Sequence, residues 1–131
     1  MANLTEPRNT PELIGNMRYT RLVASGATVY AGTLVAQTTT SGTVVGASAT
    51  ANTVVLGVAQ NTASAGEKVE ICGGRYIFDN GTGGEAITSA MIGSSAKVVD
   101  NHTVGCSGGT VGIVAGTIMD VTADGVVVQI R

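Results

Sequence analysis

Apolar and polar positions along this 131-residue chain fall into short runs separated by turn-forming clusters, and one stretch shows the pattern most fully. Val54 to Ile71, VVLGVAQNTASAGEKVEI, begins with an apolar, largely β-branched run over Val54–Ala59. It ends with an alternating run over Glu67–Ile71, in which Lys68 and Glu70 face outward and Val69 and Ile71 inward. The cluster Asn61-Thr62-Ala63-Ser64-Ala65-Gly66 between the two arms is turn chemistry, so the stretch predicts a β-hairpin. Gly116 to Ile130, GTIMDVTADGVVVQI, repeats the plan: Gly57 maps to Gly116, Gly66 to Gly125, Val69 to Val128 and Ile71 to Ile130, all at one offset. An internal duplication is the economical reading. It places Val69, Ile71, Val128 and Ile130 in one core, with Lys68, Glu70, Val127 and Gln129 on the opposite face.

The same reasoning extends to the rest of the chain. Met17–Val23 alternates and predicts a strand with Met17, Tyr19 and Arg21 on one face. Further strands are expected at Leu34–Gln37, Thr43–Val45, Arg75–Phe78, Lys97–Asp100, Thr103-Val104 and Thr110–Val114. Asp79–Gly84 is a turn, with Asn80-Gly81 supplying the positive φ. Only Glu85–Ile92 has helical spacing, with Ile87, Met91 and Ile92 on one side, and it predicts a short helical turn. The fold class is therefore all-β, a small antiparallel β-sandwich or barrel over residues 17–131. Residues 1–16 hold both prolines, Pro7 and Pro11, with Glu6, Arg8 and Glu12 among polar neighbours, and read as an extended N-terminal arm.

Composition sharpens this picture. The chain is 44% hydrophobic but only 12% charged, about half the usual charged fraction, so it can bury enough apolar area to be ordered. No charged residue occurs between Arg21 and Glu67, and outward positions there are filled by Thr, Ser, Gln, Asn and Gly. Free strand edges normally carry charges that prevent edge-to-edge pairing, so this span is expected to be covered by partners and the protein to be a homo-oligomer. The formal net charge is −2 and the basic residues are scattered, which argues against nucleic acid as a partner. The only aromatics are Tyr19, Tyr30, Tyr76 and Phe78. There is no apolar run long enough to span a bilayer and no basic-then-apolar leader at the N-terminus, so a soluble protein made in a cytosol, with no membrane partner, is expected. Cys72 and Cys106 lack a CxxC spacing and are expected to be reduced.

Chemistry-bearing constellations are sparse. His102, the one histidine, sits in the turn-like Asp100-Asn101-His102-Thr103 and is read as an exposed turn residue without a nucleophile or companion ligands. Gly81-Thr82-Gly83-Gly84 and Gly105-Cys106-Ser107-Gly108-Gly109 have the composition of phosphate loops but lack a GKS/T ending and a following helix, and are read as turns. No catalytic residue, metal ligand or cofactor site is expected, and the chain is not read as an enzyme.

Four stretches together resemble the head-decoration, or capsid cement, proteins of tailed bacteriophages: LTEPRNTPE at Leu4–Glu12, GATVYAGTLVA at Gly26–Ala36, VVDNHTV at Val98–Val104 and AGTIMDVTADGVVVQI at Ala115–Ile130. The segment VLGVA, its small-residue loop and KVEICGGRYIF are similar to that family's layout too. One departure is Val127, where some relatives carry a Trp in the last strand. The resemblance implies a structural virion protein on the capsid exterior, assembled in the host cytoplasm. It would reinforce contacts between major capsid proteins, as a dimer or trimer with copies of itself. The arm residues Arg8, Asn9, Thr10, Glu12 and Arg18 are the expected partner contacts, the prolines keeping the segment extended and so lowering the entropy lost on docking. Alternative readings are a phage tail or baseplate structural module, or a small carbohydrate-binding β module using Tyr19, Tyr30, Tyr76 or Phe78.

Overall fold

The computed structural model describes residues 6–8 and 18–130. It contains β1 (Arg18–Leu22), β2 (Thr28–Val29), β3 (Leu34–Thr38), β4 (Val44–Gly46), β5 (Thr53–Ala59), β6 (Ala63–Ser64), β7 (Lys68–Cys72), β8 (Gly74–Asn80), β9 (Ser95–Val98), β10 (Thr103–Gly105), β11 (Val114–Thr122) and β12 (Gly125–Ile130). The all-β expectation holds. Five strands form a sheet in the order β1-β7-β5-β3-β4, and five more close into a small barrel in the order β8-β12-β11-β9-β10.

The two orders are the same plan used twice, with β1, β3, β4, β5 and β7 matched by β8, β9, β10, β11 and β12. In both halves the neighbouring strands are antiparallel. In both, the first and third strands of the plan meet in parallel. In the barrel this seam pairs Thr103 with Asp79 and Val104 with Asn80, while the first sheet is joined by one isolated bridge, Val23 to Val44. The matched strands also share a defect. The register shifts at Leu56 in β5 and at Ala115 in β11, each one residue before the glycines, Gly57 and Gly116, that the sequence aligns. A bulge inserts an unpaired residue and bends the strand, and a bend is what a small barrel needs. The repeated plan in the sequence is thus a repeated architecture.

The expectation of one shared core is corrected. Val69 and Ile71 are fully buried with Val23, Val29, Val35, Val44, Leu56, Ala59 and Ala63 inside the first sheet. Val128 and Ile130 are fully buried in a second cluster with Phe78, Val98, Val104, Ile118 and Val126 inside the barrel. Strands β3 and β5 serve both: Val35, Leu56 and Ala59 face the first cluster, while Leu34, Ala36, Val55 and Val58 pack against the second. Burial on both faces is the reason that these strands read as unbroken apolar runs rather than as alternation. Lys68 and Glu70 are exposed, and Val127 and Gln129 are half-buried. Val69→Ala and Val128→Ala are each expected to cost about 1–3 kcal/mol in urea unfolding. Lys68→Ala should be nearly silent, and equal small effects from all three would contradict the burial pattern.

Four local expectations also change. The hairpin between β5 and β7 pairs only at Val58–Cys72 and Ala59–Ile71. Beyond that, the Asn61 side chain takes over: its Oδ1 accepts from the Glu70 amide at 2.8 Å. On its other edge β7 pairs with β1 over its whole length, from Arg18–Cys72 to Leu22–Lys68. Thr110–Val114 is a turn that reaches strand geometry only at Val114, because Gly112 has a φ of 69°. In the 79–84 turn, positive φ falls on Gly83, not on Gly81. The helical spacing at 85–92 becomes two single 3-10 turns, Gly83–Glu85 and Ser89–Met91, with Ile87 buried between them and Ile92 exposed.

Candidate functional site

Of the expected partner contacts, Arg8 and Arg18 are exposed, and Asn9, Thr10 and Glu12 lie outside the described residues. Arg18 opens β1, and its Nη1 lies 3.5 Å from Glu70 Oε2. Both side chains are more than half exposed, so the pair adds little stability and leaves the guanidinium reachable.

The charge-free span makes up the end of β1 and all of β2 to β6, together with the loops between them. Its loops are tied by hydroxyl groups in place of ions. Thr38 Oγ1 lies 2.6 Å from Ser41 Oγ, which lies 2.8 Å from Thr43 Oγ1, and Ser48 Oγ lies 2.7 Å from Thr50 Oγ1. Leu22, Tyr30 and Val54 are exposed on the same half. Leu22 and Ile77 occupy matched positions in β1 and β8, each one residue before a buried core residue, Val23 and Phe78, and both stand out to solvent.

Two clefts lie between the halves. One, of about 340 Å³, is lined by Ala31, Gly32, Val58, Ala59, Gln60, Tyr76, Ile77 and Phe78. The other, of about 290 Å³, runs along Val54, Val55, Val114–Thr117 and Ile130. In the first, the Tyr76 and Phe78 rings are 6.4 Å apart and tilted by 49°, with Phe78 buried, so the pair presents no flat face for a sugar ring.

His102 sits exposed beside the barrel seam, its Nδ1 3.0 Å from Asp100 Oδ1 and its Nε2 3.7 Å from Asp79 Oδ2. Partial burial raises the Asp100 carboxyl. Hydrogen bonds from the His102 amide and from Thr103, with the imidazole charge, outweigh it and hold that carboxyl below its ordinary value. The arrangement orients the imidazole without presenting it to a hydroxyl or thiol. Among the described residues no group of three or more His, Cys, Asp or Glu side chains is placed to hold a metal ion, and no helix is long and apolar enough to cross a membrane. Cys72 and Cys106 are free thiols.

The most complete polar arrangement is one that sequence reasoning passed over. The 105–109 stretch, read as a turn, is also an oxyanion nest, and Glu85 fills it. The amides of Ser107 and Gly108 donate to Glu85 Oε1, and the Gly109 amide and Ser107 hydroxyl donate to Oε2, all at 2.9 Å. Gly108 and Gly109 have φ of 68° and 69°, the left-handed conformation that turns consecutive N–H groups toward one point. Hydrogen bonds from the Gly109, Gly108 and Ser107 amides, then from the Ser107 hydroxyl, lower the Glu85 carboxyl from 4.5 to about 2. A carboxylate with a depressed folded-state value stabilises the fold above its unfolded value near 4.5 and loses that contribution as pH falls toward about 2. The available signal was the coincidence of two glycine-rich turns, a Ser inside one and a lone Glu ending the other.

Comparison of the chain with protein-family models, with curated proteins and with solved structures finds no match.

Proposed function

We propose that this protein is a structural virion component, a decoration or cement protein that binds the outside of a tailed-phage head and reinforces contacts between major capsid proteins. The observation that carries the reading is the charge-free surface spanning Leu22 to Gly66, with Leu22, Tyr30 and Val54 exposed on it. A stretch that carries no charge from Leu22 to Gly66, and ties its loops through its own hydroxyls, suits burial against a large neutral partner. The resemblance of the N-terminal stretch and the closing strands to that family names the partner. In this reading Arg8 and Arg18, with Asn9, Thr10 and Glu12, give register at the rim, and other copies of the chain complete a dimer or trimer. The carbohydrate-binding reading is disfavoured by the tilted, partly buried aromatic pair.

The test is to add the purified protein to undecorated heads of its own phage and image them by electron microscopy. Regularly spaced new density on the exterior is expected, and unchanged heads would overturn the proposal. Deleting residues 1–11 is expected to leave the circular dichroism spectrum and the melting temperature in place while weakening head binding by about tenfold or more, equivalent to ~1.4 kcal/mol. Full-strength binding by the shortened chain would remove the arm from the contact set.

A further inference from the structure

We propose that the Ser107–Gly109 loop is an oxyanion receptor that the chain's own Glu85 occupies, and that this occupancy locks the parallel seam of the barrel. The receptor is built from backbone: three successive amides and one hydroxyl converge on two oxygens, two donors to each, the pattern that a free carboxylate or phosphate would also satisfy. Its surroundings are shaped to the bound group. A side chain at Gly105 would collide with the Glu85 carboxylate and β-carbon, and one at Gly108 would collide with the Lys97 β-carbon, so glycine at both positions keeps the pocket open.

The location explains the second half of the proposal. β8 and β10 close the barrel through only two residue pairs, extended by the amides of Asp79 and Gly81, which donate to His102 O and Val104 O. Glu85 lies just beyond the end of β8, and residues 107–109 just beyond the end of β10. Their contact therefore carries the seam past the end of both strands. The backbone joins in: the Cys106 amide donates to Glu85 O at 3.0 Å, and the Cys106 thiol to Gly84 O at 3.1 Å. The first sheet's seam has a different fastening, the Arg21 guanidinium donating to Gly42 O at 2.8 Å beside the one bridge from Val23 to Val44. Each seam is thus held by one charged side chain bound to backbone groups across it. Parallel pairing is slightly less stable per residue than antiparallel pairing, and this seam has only two residue pairs, so a charge-assisted bond there acts where the ladder is shortest. The other titratable groups at the loop are Cys106 and Lys97.

Amide NMR on the full chain tests both halves of the proposal. In the wild type, the Ser107, Gly108 and Gly109 amides are expected to be unmoved by millimolar acetate or inorganic phosphate. In Glu85→Ala the same three amides should shift, and titration with acetate should return them toward their wild-type positions saturably, with the β11 and β12 amides unchanged. Phosphate run in parallel separates a planar carboxylate site from a general oxyanion site. Absence of a saturable response in a folded Glu85→Ala protein, or acetate binding at these amides in the wild type, would overturn the receptor. For the seam, Glu85→Gln keeps the side-chain shape and removes the charge. Hydrogen exchange at Asp79 and Gly81 should quicken about tenfold or more, while exchange at Val126 and Val128 stays as in the wild type. Equal rates at the seam in the two proteins would overturn the lock.

Discussion

Gly116→Ala is expected to destabilise the protein by about 3 kcal/mol or more, measured as a fall in the urea midpoint at unchanged slope. A β-carbon at Gly116 would overlap the carbonyl oxygen of Gln129 on the neighbouring strand and press on Val128 Cγ1. Neither strand can yield. β11 is paired with β9 through Gly116–Ala96 and with β12 through Thr117–Gln129, so moving it breaks ladders on both sides. Gly57 is in the same position in the other half, its absent β-carbon facing the Cys72 carbonyl, and Gly57→Ala should behave alike. Gly84→Ala is the control, since nothing lies within 4 Å of a β-carbon there, and it is expected to stay within about 0.5 kcal/mol. Matching losses at 116 and 84 would show that close backbone approach at the bulge is not the constraint.

Ile71→Ala and Ile130→Ala are each expected to cost about 2–5 kcal/mol, because both side chains are fully buried and a truncated core refills only partly. The aligned residues lie in different clusters with no member in common. Their effects should therefore add to within about 0.5 kcal/mol in the double variant. A large coupling energy would mean that the two halves share one core after all, as the repeat alone suggested. Denaturant unfolding followed by circular dichroism, with the melting temperature as a second readout, is sufficient to decide it.

Much of the candidate surface was legible in the sequence for a local reason. Exposed positions in a strand are every second residue, so Lys68 and Glu70 could be placed outside and Val69 and Ile71 inside from spacing alone. The absence of charge between Arg21 and Glu67 is likewise a property of composition and needs no coordinates. Glu85 was not legible. Its donors are more than twenty residues away, and each glycine-rich stretch, read alone, is an ordinary turn.

By itself, then, the sequence determined the β class, every strand except β2 and β6, the inward and outward faces of β7, and the repetition of one plan around Gly57 and Gly116. These depend on side-chain period and on turn residues, which act within a few positions of the chain. Tertiary structure alone decided which strand lies beside which, that Val69 and Val128 enter separate cores, that β3 and β5 are buried on both faces, and that a carboxylate from one turn fills the nest of another. Those outcomes rest on contacts between segments far apart in sequence. Alternation tells a residue that it is inside, but only the path of the chain tells it inside what.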